Sequence, residues 1–273
     1  MSDSNRSGLF EFASVPDNYR EYLLPTVFAP WASQLIDSVG LQAGQTVLDV
    51  ASGTGAVARA AATVVGAGGR VIASDISAGM LAHVNTGIDP DGAPIQTLEC
   101  SAMELALPDR SMDVVLCQHG LPFIPDRIQA TREMRRVLRT GGTVGIAVWL
   151  SETRLEPFDS FGEALEAEGI DEPFPRAWDP NSFKMSVLGV EQLLVDGGFD
   201  AISVITRDLE LHWPSLEAAA LGITGTPYGP VLARLNPEQQ HRVMDALRER
   251  LTADNGSARS HVVTAVLAKG TAP

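Results

Sequence analysis

Short apolar runs alternate with amphipathic helical patterns through the middle of the chain. Five runs rich in β-branched and other apolar residues predict strands at residues 46–50, 71–75, 95–99, 113–117 and 143–149. Apolar positions at helical spacing predict helices at 56–65, around Met80, Leu81 and Val84, and at 127–138. Strands that alternate with helices in this way are typical of right-handed βαβ units. The pattern therefore predicts an α/β protein with a doubly wound, Rossmann-like sheet.

The segments on either side of this core follow a looser pattern. In residues 1–45, apolar positions recur at helical spacing but are interrupted by Pro25 and Pro30, which predicts a broken helical cover. After residue 150, a helix at 187–196 and strands at 201–211 and 261–267 predict the completion of a seven-stranded sheet. Two insertions, 151–182 and 213–256 (the second with a helix at 237–251), have the length of a lid or binding wall. We expect one structural domain in three parts: a cover (1–45), a Rossmann-like core (46–150) and a completing part (151–273).

Composition narrows the possible classes of protein. The 273 residues are 45% hydrophobic and 20% charged, which is typical of a globular protein. A formal net charge of −14 argues against nucleic acid or an anionic membrane surface as a partner. Cys100 and Cys117 are too few for a disulfide framework, and we expect buried, neutral thiols. Neither a signal peptide nor a membrane-spanning stretch is evident in the sequence, so we expect a cytoplasmic protein.

The clearest motif follows the first predicted strand. Residues 47–55 are VLDVASGTG: a strand containing Asp49, then a small-residue turn that leads into a helix. Gly53 and Gly55 let backbone N–H groups approach a ligand closely. The spacing Gly53-x-Gly55-x-x-Ala58, with Asp75 20 residues past Gly55, also satisfies the dinucleotide fingerprint. A carboxylate at Asp49 repels a pyrophosphate but attracts an ammonium or sulfonium, so the turn favours a cationic ligand.

Polar residues also follow the next three predicted strands. Because the carboxyl ends of parallel strands line the ligand crevice, these residues are candidates for a binding site. Asp75 can accept both hydroxyls of a ribose, or alternatively stabilise the dipole of the next helix. Ser101 can bind an exocyclic amine and Met103 can cover an aromatic ring, or they can be a helix cap and a core residue. His119, which follows Gln118, is a candidate general base, although a lone histidine is often structural.

Other histidines and acids add little to these candidates. His212, beside Trp213 at the start of the second insertion, is a weaker candidate. Asp, Glu and His residues nowhere show convincing metal-ligand spacing in the sequence, so we expect no metal.

Four ordered motifs resemble those of class I S-adenosylmethionine-dependent methyltransferases, specifically a small-molecule branch similar to the quinone-biosynthesis enzymes. They are residues 47–55, Asp75 with Met80, the segment LPDRSMDVV at 107–115, and RRVLRTGG at 135–142. The resemblance covers residues 46–150. It implies a seven-stranded sheet whose last strand runs antiparallel, with S-adenosylmethionine bound across the first four strands.

The resemblance also implies roles for individual residues. It places the cofactor against Asp49, Ala51, Ser52, Gly53 and Gly55 (methionine moiety), Asp75 with Ile76 (ribose), Met80, Ser101, Ala102 and Met103 (adenine), and Gln118 (sulfonium). Tyr22 or Tyr19, in the N-terminal cover, would lie over the cofactor. Two positions depart from the family pattern. Ala51 stands where the family often has glycine, and Ser101 stands where it often has an aspartate that reaches the adenine amine.

We therefore expect methyl transfer to an O, N or C nucleophile of a small molecule, such as a secondary metabolite or a quinone-like acceptor. If a base is required, His119 is the candidate. One alternative is an S-adenosylmethionine-binding protein repurposed as a cyclase or isomerase, and a remote one is a nicotinamide-dependent oxidoreductase. A nucleic-acid methyltransferase is disfavoured by charge and by CQHG at 117–120, where an Asn/Asp-Pro-Pro-aromatic motif is absent. Aromatic residues that either line an acceptor pocket or pack a lid are Phe158, Phe161, Phe174, Trp178, Phe183, Trp213 and Tyr228.

Overall fold

A computed structural model describes residues 19–85, 89–170, 184–226, 228–253 and 260–273. Parts of the predicted N-terminal cover and of both insertions lie outside these ranges. The predicted pocket residues Phe174, Trp178 and Phe183 also lie outside them.

The described strands form one sheet with the order β3-β2-β1-β4-β5-β8-β7, and the short strand β6 pairs with β5. Their bounds are β1 Thr46–Val50, β2 Arg70–Asp75, β3 Ile95–Glu99, β4 Met112–Gln118, β5 Leu138–Leu150, β6 Lys184–Met185, β7 Asp200–His212 and β8 Ser260–Thr271. Strands β1 to β5 pair in parallel. Strand β8 runs antiparallel to both β5 and β7. The predicted Rossmann-like sheet with an antiparallel last strand is thus confirmed, and β6 is an addition that the sequence pattern did not predict.

Helices cover both faces of this sheet. They are α1 Ala29–Val39, α2 Ala56–Val65, α3 Ala78–Leu81, α4 Arg127–Val137, α5 Phe158–Ala167, α6 Val187–Asp196, α7 Leu216–Gly222, α8 Gly229–Arg234 and α9 Pro237–Ala253. Helices α1 and α2 share one hydrophobic core, and α4 and α6 share a second. Within β4, Val114 and Leu116 point to the first core while Val115 and Cys117 point to the second. A strand segment that is buried on both faces in this way is apolar throughout, as residues 114–117 of β4 show.

The N-terminal cover is broken, as its prolines predict. Tyr19–Phe28 is a π-helical segment with Pro25 inside it, and α1 then begins at Ala29 with Pro30 in its first turn. Proline is tolerated in a first turn because the N–H it lacks has no partner there. The buried side chains Leu23 and Val27 fix the π-helical segment against the rest of the protein.

Several element boundaries differ from the predictions, and one helix was not predicted. Helix α3 ends at Leu81, short of Val84. Ser77 caps its start by accepting a hydrogen bond from the Met80 N–H. Helix α4 ends at Val137, because Leu138 is already extended and begins β5. Helix α5 lies within the first insertion, where no helix was predicted from the sequence.

Candidate active site

A cavity of about 370 Å³ lies at the edge of the sheet where the parallel strands end. Each of the five parallel strands β1 to β5 brings a residue to it: Ala51 after β1, Asp75 at the end of β2, Cys100 after β3, Gln118 at the end of β4 and Trp149 near the end of β5. An open α/β sheet binds its ligands at this edge. The cavity is therefore the candidate site.

The turn after β1 is held in shape by Asp49. This carboxyl group is buried, and its Oδ2 accepts hydrogen bonds from Ser52 Oγ (2.6 Å) and from the Ala58 N–H (3.0 Å). Burial raises the pKa of Asp49 to about 7. Ala51 and Gly53 line the cavity with φ values of +54° and +56°, which place their backbone in the left-handed region. Asp49 thus stabilises the turn from behind and does not itself line the cavity.

Asp75 connects this turn to the end of β2. Its Oδ2 accepts a hydrogen bond from the Gly53 N–H and its Oδ1 from the Ser77 N–H, each over 2.9 Å. Burial raises the pKa of Asp75. Each carboxylate oxygen of Asp75 has a second lone pair that can accept a further hydrogen bond. Asp75 also lines the cavity. The carboxylate is therefore positioned to accept two hydroxyl groups of a ligand such as a ribose.

Small and sulfur-containing side chains surround Asp75. Met80 is buried, and Met103 and Ala102 line the same part of the cavity. Ser101 Oγ accepts a hydrogen bond from the Met103 N–H over 3.2 Å, so Ser101 caps its own turn and also lines the cavity. The two alternatives that the sequence left open for Ser101 are thus compatible with each other.

The two cysteines differ in their surroundings. Cys117 is buried in β4, and burial raises the pKa of its thiol to about 12. Cys100 lies one residue beyond β3, lines the cavity and is only half-buried, so the expectation that both thiols are buried is wrong for it. Partial burial still raises the pKa of the Cys100 thiol.

Gln118 connects β4 to the N-terminal cover. Its Nε2 donates a hydrogen bond to the Phe28 carbonyl over 2.9 Å. Its Oε1 is buried and has no hydrogen-bond partner among the described residues. A buried amide oxygen without a partner is costly, and it favours a donor or a cation brought by a ligand.

His119 lies within a group of aromatic rings. It stacks on Trp149 with ring centroids 3.7 Å apart and planes 11° apart, and it meets the edges of Phe28 and Trp31. Neither ring nitrogen has a hydrogen-bond partner among the described residues. Burial lowers the pKa of His119 to about 3, so the imidazole is neutral at physiological pH.

The far wall of the cavity is apolar. Leu23 and Phe28 come from the π-helical segment, and Phe158 and Tyr228 come from the two insertions. Tyr19 stacks on Phe28 with centroids 4.7 Å apart. Burial and the nearby carboxylate of Asp75 raise the pKa of the Tyr19 hydroxyl.

Most of the residues singled out from the sequence meet at this cavity. Those that line it are Ala51, Gly53, Asp75, Ile76, Met80, Ser101, Ala102, Met103, Gln118 and His119. Four do not line it: Asp49, Ser52, Gly55 and Tyr22. Of the two tyrosines considered for the cover, the structure places Tyr19 at the cavity. Phe161 and Trp213 are buried in the core instead, and His212 is exposed beside Glu210.

Other lining residues were missed. Trp149 ends the fifth predicted strand, so the rule that strand ends line the crevice was sufficient to find it. Gly120 could also have been identified from the sequence, because it directly follows His119. Leu155 and Thr226 come from the insertions, where no pattern in the sequence marks which side chain faces inward.

Within the described ranges, no helix combines the length and the apolar character needed to span a membrane.

A parallel sheet with a glycine turn after β1 and an acidic residue at the end of β2 defines a nucleoside-binding, Rossmann-like protein. Comparison with known families is more specific, since residues 48–146 match a family described as "Methyltransferase domain". Over this region the chain thus matches a methyltransferase domain and is similar to quinone-biosynthesis C-methyltransferases.

Relatives at the sequence level include the ubiquinone/menaquinone biosynthesis C-methyltransferase UbiE of Hahella chejuensis. It is 41% identical over 114 residues, which is 41% of this chain and 46% of the relative. The UbiE protein of Burkholderia mallei is 30% identical over 177 residues, 64% of this chain and 65% of the relative. The chain spans about half the length of the first few relatives that it matches.

Solved structures share the fold at low sequence identity. A methyltransferase assigned to an antibiotic biosynthesis pathway of Anabaena variabilis has a TM-score of 0.63 at 17% identity, covering 87% of this chain and 96% of that one. A methyltransferase from Bacillus halodurans has a TM-score of 0.58 at 18% identity, covering 89% and 98%. These likenesses extend the fold assignment beyond residue 146, into the part that completes the sheet.

Proposed function

We propose that this protein transfers the methyl group of S-adenosylmethionine to an O, N or C nucleophile of a small molecule. The observation that carries this proposal is the two-ended cavity. Asp75 and its neighbours form a nucleoside end at β2, and an apolar end lies beside β5. Strands β2 and β5 are separated by β1 and β4, so the two ends are about 14 Å apart. One cavity thus combines a polar end suited to a nucleoside-bearing cofactor with an apolar end suited to a second molecule.

The residues at the nucleoside end fit the cofactor. Asp75 would accept the ribose hydroxyls, and Met80 and Met103 would cover the adenine. Gly53 lines the cavity without a side chain, so the methionine moiety could approach the backbone of the turn closely. The unpartnered Oε1 of Gln118 would face the positive charge near the sulfonium. Asp49 lies behind the turn and would add negative potential when its carboxyl group is ionised, without contacting the cofactor.

The chain's contribution to the reaction is to orient the reactants and exclude water. When bound, S-adenosylmethionine would supply an electrophilic methyl group, and Asp75, Met103 and Gln118 would hold it next to the acceptor end. Leu23, Phe28 and Phe158 enclose the acceptor end with apolar surface. Correct orientation alone contributes about 7–11 kcal/mol to such a reaction.

The partners follow from the same features. A net charge of −14 supports a small-molecule acceptor rather than a nucleic acid, and we propose a cytoplasmic location. The N-terminal cover and the insertions would act as the lid of the acceptor end, since Phe28, Phe158 and Tyr228 line the cavity from these parts.

Calorimetric titration with S-adenosylmethionine, S-adenosylhomocysteine and NADH tests the proposal. We expect micromolar binding of the first two and none of NADH. Binding of NADH alone would contradict the proposal and favour an oxidoreductase. The mass of the product then separates methyl transfer, which adds one methylene, from a cyclase or isomerase reaction, which adds nothing.

A further inference from the structure

The π-helical segment Tyr19–Phe28 contributes a residue to each end of the cavity. Tyr19, Leu23 and Phe28 all line the cavity, at intervals of four and five residues. An α-helix has about 3.6 residues per turn, so a separation of nine residues would place Tyr19 and Phe28 on opposite faces. A π-helix has a wider turn of about 4.4 residues, which brings both residues to the same face. The π-helical geometry is therefore what allows one segment to line both ends.

The sequence of the segment disfavours the α-helical alternative. In an α-helix, the ring of Pro25 would collide with the carbonyl group four residues earlier, and Pro25 has no N–H to donate. The buried side chains of Leu23 and Val27 anchor the middle of the segment. At its two ends, Tyr19 and Phe28 are only half-buried. The positions of these two rings therefore depend on the contacts that they make at the cavity.

A continuous series of ring contacts starts at the glycine turn. The hydroxyl oxygen of Tyr19 lies 4.0 Å from the position that a Cβ atom on Gly53 would have. The ring of Tyr19 stacks on Phe28 with an angle of 17° between the planes. Phe28 in turn meets the ring of His119 with centroids 5.9 Å apart, and His119 stacks on Trp149. These contacts join the nucleoside end of the cavity to the acceptor end.

We propose that Tyr19 and Phe28 are positioning residues that couple cofactor binding to acceptor binding. This inference rests on the proposed function and adds an order of binding to it. The cofactor, bound at the glycine turn, fixes the ring of Tyr19, and stacking then holds the ring of Phe28 as a wall of the acceptor end. A ligand shifts such an equilibrium only through contacts that differ between the two states, and Tyr19 provides that contact. The acceptor end is complete only when the cofactor is in place, so the acceptor binds second.

A double-mutant cycle tests the coupling through cofactor affinity. Leucine keeps apolar bulk but cannot stack, so Tyr19→Leu, Phe28→Leu and the double variant are titrated calorimetrically with S-adenosylhomocysteine. We expect Phe28→Leu, although it lies at the acceptor end, to bind about three- to tenfold more weakly, as the loss of one aromatic pair implies. We expect the double variant to bind at most about twofold more weakly than Tyr19→Leu, because either single change already breaks the stack.

Tyr22→Leu is the matched control for this cycle. Tyr22 belongs to the same segment and is half-buried but does not line the cavity, so we expect unchanged affinity. Unchanged affinity in Phe28→Leu, losses that multiply in the double variant, or an equal loss in Tyr22→Leu overturns the inference alone. If wild-type protein does not bind S-adenosylhomocysteine, the proposed function is overturned and this inference with it.

Indole, a soluble and largely apolar ring, probes the acceptor end directly. We expect wild-type protein saturated with S-adenosylhomocysteine to bind indole about fivefold more tightly, or better, than the free protein does. In saturated Tyr19→Leu we expect this ratio to fall to about one, because the cofactor no longer positions Phe28. Tyr22→Leu keeps the wild-type ratio. A wild-type ratio of one, an undiminished ratio in Tyr19→Leu, or no binding of indole to either form of the wild type overturns the inference.

Discussion

The backbone N–H of Gly53 donates a hydrogen bond to Oδ2 of Asp75 over 2.9 Å. This contact joins the turn after β1 to the end of β2, two segments that are 22 residues apart in sequence. The carboxylate that is positioned for a ribose therefore also holds the glycine turn in place. Binding of the nucleoside and the shape of the turn depend on the same side chain.

Replacing Asp75 tests this connection. We expect Asp75→Ala to weaken the binding of S-adenosylhomocysteine by about 1.5–3 kcal/mol, the range for hydrogen bonds to a charged group. Glu99→Ala is the matched control, because Glu99 pairs with Asp75 in the sheet register but is exposed and does not line the cavity. Calorimetric titration measures both variants. Unchanged affinity in folded Asp75→Ala would rule out the ribose contact.

The burial of Asp49 predicts a pH dependence of stability. Its pKa is near 3.9 in the unfolded chain and about 7 in the folded protein. Between these values the folded state binds more protons than the unfolded state, so the contribution of Asp49 to the free energy of unfolding falls as the pH rises from about 4 to about 7. The slope is at most about 1.4 kcal/mol per pH unit.

Asp49→Asn removes this titration and keeps an oxygen for Ser52 and Ala58. We measure the free energy of unfolding in urea for both proteins at pH 5 and at pH 8. We expect the difference between Asp49→Asn and wild type to be more in favour of the variant at pH 8 than at pH 5. Glu99→Gln, at an exposed site, serves as the control and should show no such gain. An equal difference between Asp49→Asn and wild type at both pH values would argue that the folded carboxyl titrates normally.

Gly120 leaves room for the glycine turn. A Cβ atom at Gly120 would lie 2.5 Å from the Cβ of Ala51, closer than two carbon atoms can approach. We expect Gly120→Ala to destabilise the protein by about 1–3 kcal/mol and to weaken cofactor binding, because the turn must move. Adding Ala51→Gly removes the clashing atom and should restore most of both losses. Thermal unfolding and titration with S-adenosylhomocysteine measure the effect, and a double variant as impaired as the single one would count against this contact.

A buried ion pair supports the wall of the acceptor end. Lys184 Nζ lies 3.2 Å from Oδ2 of Asp159 and donates a hydrogen bond to the Thr153 carbonyl over 2.7 Å. Asp159 also accepts a hydrogen bond from the N–H of Leu155, a cavity-lining residue. Lys184→Met leaves Asp159 buried without its cation, and we expect a loss of about 3–5 kcal/mol in the free energy of unfolding.

The double variant Lys184→Met with Asp159→Asn provides the comparison. It removes both charges and keeps an acceptor for the Leu155 N–H, so we expect it to be more stable than Lys184→Met alone. Urea unfolding of the three proteins measures the difference. If the double variant is less stable than Lys184→Met, the instability of Lys184→Met does not come from the unpaired charge of Asp159.

The sequence alone determined the sheet and the nucleoside end of the site. Apolar runs buried on both faces mark β1, β2, β4 and the second half of β5. The rule that strand ends line the crevice brings Asp75, Ser101 and Gln118 together before any coordinates are known. These inferences succeed because they depend on local periodicity and on one property of parallel sheets. The exact bounds of β1, α2, β3 and α6 agree with the pattern for the same reason.

Only the tertiary structure decided how the remaining residues are used. Asp49 lies at the strand position expected for a ligand contact, but its hydrogen bonds with Ser52 and Ala58 turn it away from the cavity. Tyr19 rather than Tyr22 reaches the cavity, since the choice depends on the rotation of a π-helical segment that proline interrupts. The neutral state of His119 depends on rings from three separate segments. Contacts between distant segments leave no periodic signal in a sequence, because the burial and the pKa of a side chain depend on which segments pack together in space.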